Sequence, residues 1–267
     1  MLKVVVAGAA GRMGRMLVNL IDRADDMVLA GALEAPGNPL LGSDAGAVAG
    51  CGPAGVLLTD DPAAALNGAD VLINFSTGGV VEAARDAAKR KIAIVIGSTA
   101  LSGEEKAAIR ALADADGARI VLSPNMAVGV NLLFHLVGKA AKLLGRDYDV
   151  EIVEMHHRHK KDAPSGTALR LAEVVCEARE LSCGDALRHG RSGITGERTD
   201  SEVGMHSLRG GDVVGDHTVI FAADGERVEL SHRATSRENF ARGALIAARF
   251  AVAAAPGVYD MQDVLGL

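Results

Sequence analysis

Between residues 2 and 122 short apolar runs alternate with stretches in which apolar positions recur every three or four residues. The runs at 2–7, 27–33, 55–59, 69–75, 92–97 and 118–122 are rich in Val, Ile and Leu, and predict strands. Between them, 12–23, 79–90 and 103–115 place apolar residues on one face and Arg, Asp, Glu and Lys on the others, which predicts helices. Strand and helix in alternation imply βαβ units around a parallel sheet, so the first half is expected to be a doubly wound α/β layer structure.

After Val128 the pattern changes. A long apolar helix is predicted near 130–144, a strand near 148–155 and a helix near 165–180, followed by a Gly-, Arg-, Ser- and Thr-rich region, 185–215, that is the least regular part of the chain. Runs 203–209, 217–223 and 226–233 alternate apolar and polar residues in the manner of antiparallel strands, which predicts a separate α+β unit. A last helix at 237–254 offers Phe240, Ala244, Ala247, Ala248 and Ala251 on one side, suited to packing back on the first unit. The expected organisation is 1–127, then 128–236, then a return to the first domain over 237–267.

Composition narrows the reading. The 267 residues are 49% hydrophobic but include no Trp and only 3% aromatics, so the core must be built from Ala, Val, Leu and Ile. A net charge of −6 and the absence of a basic stretch interleaved with aromatics argue against a nucleic-acid partner. Cys51, Cys176 and Cys183 form no Cys-x-x-Cys pair, so neither a disulfide framework nor a cysteine zinc site is expected, and a reducing compartment is the simplest setting. The amino terminus runs directly into Val4-Val5-Val6, without the basic and apolar regions of a signal peptide. Residues 120–138 carry no Asp, Glu, Lys or Arg, yet Ser123-Pro124-Asn125, Asn131 and His135 mark them as strand, turn and buried helix rather than a membrane span. A cytoplasmic protein with no membrane partner is expected.

Gly8-Ala9-Ala10-Gly11-Arg12-Met13-Gly14 follows the first predicted strand and opens the first predicted helix. It is a variant of the glycine-rich dinucleotide fingerprint, in which glycines permit a tight turn, close backbone approach to a pyrophosphate and close packing of helix on strand. Glu34 ends the second strand twenty residues after Gly14, where a carboxylate accepts hydrogen bonds from ribose hydroxyls. Two more loops, Phe75-Ser76-Thr77-Gly78 and Gly97-Ser98-Thr99-Ala100, follow predicted strands on the same edge, where open α/β sheets bind ligands.

The densest chemistry lies in Glu154-Met155-His156-His157-Arg158-His159-Lys160-Lys161-Asp162-Ala163-Pro164-Ser165-Gly166-Thr167. Its basic residues run into a helix start, with Ser165 or Thr167 able to cap and Pro164 compatible with an early helical position. A helix amino terminus beside Lys and His is a seat for carboxylates, so a small anion such as a dicarboxylate is the expected substrate. On a continuing strand His157 and His159 share a face and can chelate a metal, but Arg158, Lys160 and Lys161 disfavour a dication and no metal is expected. His135, His189, His206, His217 and His232 stand apart, and structural or solvated roles are expected for them.

Taken together, Gly8 to Gly14, Gly97-Ser98-Thr99, Ser123-Pro124-Asn125-Met126-Ala127-Val128-Gly129-Val130-Asn131 and His156 to Thr167 resemble the 4-hydroxy-tetrahydrodipicolinate reductase family in order and separation, over nearly the whole chain. The resemblance implies a Rossmann-like first domain, a second α+β domain for substrate binding and oligomerisation, and a homotetramer. It implies a reaction in which the 4-hydroxy compound loses water and receives a hydride from NADH or NADPH, in the diaminopimelate route to lysine. By resemblance His156 is the proton donor or acceptor, Lys160 the proton donor, His157 a substrate contact, and Gly166 and Thr167 the carboxylate-binding positions. Gly8, Ala9, Ala10, Gly11, Arg12, Met13, Glu34, Gly97, Ser98, Thr99, Ser123, Pro124, Asn125 and Met126 match cofactor contacts.

Three positions depart from the pattern. Ala35 stands where NADPH-using relatives often carry Arg, so NADH is the expected preference and NADPH the secondary cofactor. Thr77 replaces a basic residue, and Lys161 an apolar one, found in some relatives. The competing readings are another two-domain dehydrogenase, for instance one acting on aspartate or its semialdehyde, and a non-catalytic nucleotide sensor.

Overall fold

The computed structural model describes residues 1–267 and divides into two compact units: Met1–Val128 with Glu238–Gly266, and Gly129–Arg237 with the terminal Leu267. The first unit contains β1 (Leu2–Ala7), α1 (Arg12–Asp22), β2 (Met27–Leu33), α2 (Ala45–Ala49), β3 (Leu58–Thr59), α3 (Pro62–Ala65), β4 (Val71–Asn74), α4 (Val80–Lys89), β5 (Ala93–Ile96), α5 (Gly103–Asp116) and β6 (Arg119–Leu122). The second contains α6 (Val128–Leu144, from its second residue), β7 (Asp149–His156), α7 (Gly166–Arg179), α8 (Cys183–Ala186), β8 (Leu187–His189), β9 (Val203–Arg209), β10 (Gly215–Ala223) and β11 (Glu226–Ala234). The chain then returns through α9 (Glu238–Ala253), β12 (Gly257–Tyr259) and α10 (Met261–Leu265).

The first sheet is wholly parallel, in the order β12-β6-β5-β4-β1-β2-β3. Alternate side chains of each strand feed two separate cores. Val4, Val6, Val71, Ile73, Val95 and Val121 join one, with residues of α1 and α9; Val5, Leu72, Ile94, Ile96 and Ile120 join the other, with residues of α4 and α5. The strands read as unbroken apolar runs because both faces are covered. Each Val or Ile so buried contributes roughly 1.5–3 kcal/mol. The strand order reverses between β1 and β4, and such a reversal opens a crevice at the carboxyl ends of the strands.

Helix boundaries follow local chemistry. Ser102 and Glu105 form a reciprocal capping box at the start of α5, and Gly117 closes that helix in the left-handed conformation. Within α9, Ala241, Ala244, Ala248 and Ala251 make the buried stripe and Phe240 is only half-buried, so the small residues permit close approach to the sheet.

Unit two is a mixed sheet, β11-β10-β7-β9-β8. Val150 and Ile152 of β7, Met205 of β9 and Phe221 of β10 pack against Leu133 and Val137 of α6 and Leu171 and Val175 of α7. The expectation that 203–209 is antiparallel is corrected: β9 runs parallel to both β7 and β8, and only β10 and β11 form the antiparallel part. Alternation reports that one face is buried and is blind to strand direction. The irregular stretch before β9 supplies the crossover that a parallel pairing needs.

Smaller elements escaped the pattern. α2, α3, α8 and α10 have four or five residues, too few for a helical period to repeat, and are fixed instead by caps such as Asp44, Asp61 and Asp260. The run predicted at 55–59 shrinks to two residues in β3, because Val56 is drawn off to bind the amide of Ala45 through its carbonyl and Leu57 bridges Asp44.

Candidate active site

In unit one the glycine loop sits at the carboxyl end of β1. Gly8 has φ +72°, open to glycine, and a methyl group at Gly14 would lie 2.6 Å from the Ala9 Cα and closer still to the Gly8 carbonyl oxygen. The two glycines thus bring the start of α1 directly onto the loop. Gly11 is the N-cap of α1 and provides no side-chain cap, and the first turn contains no acidic residue. The amides around Arg12 and Met13 therefore face an end of the helix suited to phosphate. This geometry fits a dinucleotide.

Glu34 follows β2 and reaches the same loop: one carboxylate oxygen accepts from the Ala10 amide at 2.9 Å and the other from the Ala35 amide at 2.9 Å. The loops after β4, β5 and β6 lie on the same sheet edge. The Ser98 hydroxyl donates to the Ser76 carbonyl at 2.8 Å, tying Gly97-Ser98-Thr99 to the Phe75–Gly78 loop. The Ser123 hydroxyl donates to the Asn125 carbonyl, and the Asn125 side chain accepts from the Ala127 amide, which shapes the turn through Pro124 and Met126 into α6. Gly8 to Met13, Glu34, Gly97 to Thr99 and Ser123 to Met126 are all in unit one and follow β1, β2, β5 and β6.

In unit two, β7 delivers its last residues to one point. Val150 and Ile152 face the core, and the same face continues as Glu154 and then His156. Glu154 is wholly buried, 0% exposed. Arg209, at the end of β9, grips its carboxylate with both terminal nitrogens at 2.9 Å, His156 Nδ1 lies 2.6 Å from one oxygen, and the Ser165 amide donates to the other at 3.1 Å. Burial pushes the Glu154 pKa up, but hydrogen bonds from Arg209, His156 and Ser207 outweigh it and hold the group below the usual carboxylate range.

The chain after His156 leaves the sheet, so His157 and His159 do not share the face of a continuing strand; their rings tilt at 39° with centroids 6.2 Å apart. No group of three or more His, Cys, Asp or Glu gathers in metal-binding geometry. His157 Nδ1 is buried without a protein partner, and desolvation together with the Arg237 cation lowers its pKa. Lys160 Nζ donates to both oxygens of Asp162, at 3.0 and 2.9 Å. That ammonium holds the Asp162 carboxyl below its ordinary pKa.

Ser165 is the N-cap of α7, accepting from the Ala168 amide at 3.1 Å, so Gly166 and Thr167 form the first turn and Pro164 precedes the cap instead of entering the helix. The Ser165 hydroxyl also meets Nε2 of His217 at 2.9 Å. His217 stands edge-on to His156, ring centroids 5.2 Å apart, and burial with the nearby His156 drives its pKa down to about 3. His156, His157, Lys160, Gly166 and Thr167 thus belong to one strand end, loop and helix start.

A profile described as the N-terminus of dihydrodipicolinate reductase matches residues 2–126, and one described as its C-terminus matches 129–265. The chain belongs to the dihydrodipicolinate reductase family. It is 54% identical over 271 residues to the 4-hydroxy-tetrahydrodipicolinate reductase of Anaeromyxobacter dehalogenans (strain 2CP-C), covering 100% of this chain and 98% of that one. It is 52% identical over 268 residues to the enzyme of the same name from Geotalea daltonii, with 100% of both covered. Among solved structures it resembles the dipicolinate-bound dihydrodipicolinate reductase of Paenisporosarcina sp. TG-14, with a TM-score of 0.78 and 23% identity over 98% of each chain, a likeness of fold.

Glu154, Arg209, Asp162 and His217 are contacts of the candidate site residues to which sequence reasoning gave no part in the site. Glu154 had a readable signal: a carboxylate and then a His occupy consecutive core-facing positions of an alternating strand. His217 had none, because it was classed as structural or solvated and comes to His156 only through the pairing of β10 with β7.

Proposed function

We propose that this chain reduces 4-hydroxy-tetrahydrodipicolinate, the substrate in its relatives' names, to tetrahydrodipicolinate with NADH or NADPH. One hydride and one proton enter and one water leaves. The observation that carries this reading is the joint presence of a dinucleotide loop in unit one and a His–Lys loop ending on a helix amino terminus in unit two, in a chain matched by the family along its length.

A nicotinamide dinucleotide held by the first unit would supply the hydride. Ala9, Ala10, Gly11, Arg12 and Met13 would hold its pyrophosphate, Glu34 would accept from its ribose hydroxyls, and the loops of Gly97-Ser98-Thr99 and Ser123-Pro124-Asn125-Met126 would hold the nicotinamide end. On the second unit, the amides of Gly166 and Thr167 and the ring of His157 bind the substrate carboxylates. The Lys160 ammonium donates a proton to charge that develops as hydride arrives, and His156 exchanges the proton that accompanies loss of water.

Ala35 beside Glu34 offers no cation to a 2′-phosphate, which favours NADH. No helix is long and apolar enough to cross a membrane. Val153, Met155 and Ile220, on the sheet face opposite α6 and α7, remain only half-buried, which supports assembly into a homotetramer through that face. The test is direct: enzymatically generated 4-hydroxy-tetrahydrodipicolinate is supplied and NADH absorbance followed. Steady substrate-dependent oxidation is expected, and its absence rejects the reading.

A further inference from the structure

Glu154 is buried completely and reaches no solvent, so it is not itself a substrate contact. Its four identified donors nevertheless converge from every element that shapes the site: His156 on its own strand, Arg209 at the end of β9, Ser165 at the cap of α7, and Ser207. Arg209 also donates to the Asp162 carbonyl at 2.8 Å, and Asp162 in turn carries Lys160. The same guanidinium therefore connects the buried carboxylate to the loop that bears the ammonium group.

The hydrogen-bond count determines a proton position. An ionised carboxylate only accepts, and Arg209, the Ser165 amide and the Ser207 hydroxyl can all donate to it. His156 Nδ1, 2.6 Å from the same carboxylate, must then be a donor too. In the neutral ring this leaves Nε2 bare. Nε2 has no protein partner, and a methyl group at Gly215 would come within 3.0 Å of it, so glycine is what keeps the ring tip clear.

We infer that Glu154 is a positioning residue: paired with Arg209, it fixes the orientation and tautomer of His156 so that Nε2 is the nitrogen presented for proton exchange. The inference rests on the reading of His156 given above. Its logic is that of a carboxylate behind a general base, where an amide replacement preserves shape but loses the preferred tautomer. The burial of an ion pair on this scale is costly as a source of stability alone, which agrees with a role in specifying one arrangement.

Two measurements test it. Nitrogen-15 NMR of the parent protein, with the His156 signal assigned by its loss in His156→Ala and the pH raised until the ring is neutral, is expected to show that neutral ring protonated at Nδ1. A ring protonated at Nε2 overturns the inference. In kinetics, Glu154→Gln is expected to lower kcat by about 100-fold with KM within about threefold of the parent. In the His156→Ala background the same substitution is expected to cost almost nothing further, because Glu154 acts through that ring. An undiminished kcat in Glu154→Gln, or an equal loss with and without His156, contradicts a positioning role. A parent chain that shows the Nδ1–H ring but no turnover would reject the proposed function while upholding the tautomer, so the two failures are distinguishable.

Discussion

His217 joins the site through burial and not through sequence proximity. With its folded pKa near 3 and an unfolded value of roughly 6.5, the unfolded chain binds a proton that the folded chain refuses throughout that interval. Stability therefore falls as pH drops from about 6.5 towards 3. His217→Gln keeps a polar partner for Ser165 and removes this ring. Urea unfolding at pH 7 and pH 5 should show the parent losing about 2 kcal/mol more than the variant; equal losses would contradict the buried neutral ring. At Gly14 the expectation is steric. Gly14→Ala must push α1 away from the loop, and NADH binding followed by fluorescence should weaken at least about tenfold, ~1.4 kcal/mol. Glycines and the His–Lys run were legible residue by residue, because their chemistry is written in adjacent positions. The partners of Glu154 were not, since Arg209 lies 55 residues away and meets it only when β9 pairs with β7.

At the scale of elements, the stretch between β8 and β9 is held by ions more than by apolar packing. Glu151 on β7 accepts from Arg191, Arg198 and His206, and although burial raises its pKa these partners bring it down to about 2. Arg198 additionally binds Asp149 and the carbonyls of Val150 and Glu202. Arg198→Ala should lower the unfolding free energy by about 2 kcal/mol and speed proteolytic cleavage within 190–202, read by mass spectrometry of the fragments. Unchanged cleavage would show that this clamp is dispensable. Strands and long helices of the first unit were legible because apolar period and burial coincide there. Strand direction in the second was not, for the same alternation serves a parallel and an antiparallel neighbour, and the connection that decides between them is ordered by Arg and Glu pairs that have no periodicity.

Across the whole molecule, the family match fixes the fold, and the proposed division of labour between units rests on what each contains: a glycine loop in one, titratable groups and a capped helix start in the other. Cofactor choice is the feature most open to a simple measurement. With Ala35 beside Glu34, kcat/KM is expected to be higher with NADH than with NADPH, and a preference of about tenfold for NADPH, roughly 1.4 kcal/mol, would overturn that expectation. The most direct test of the division itself combines turnover and binding in two variants. His156→Ala and Lys160→Ala should each lower kcat by about 100-fold or more while NADH affinity stays within about threefold of the parent. Near-parental turnover in both variants would contradict proton chemistry on the second unit.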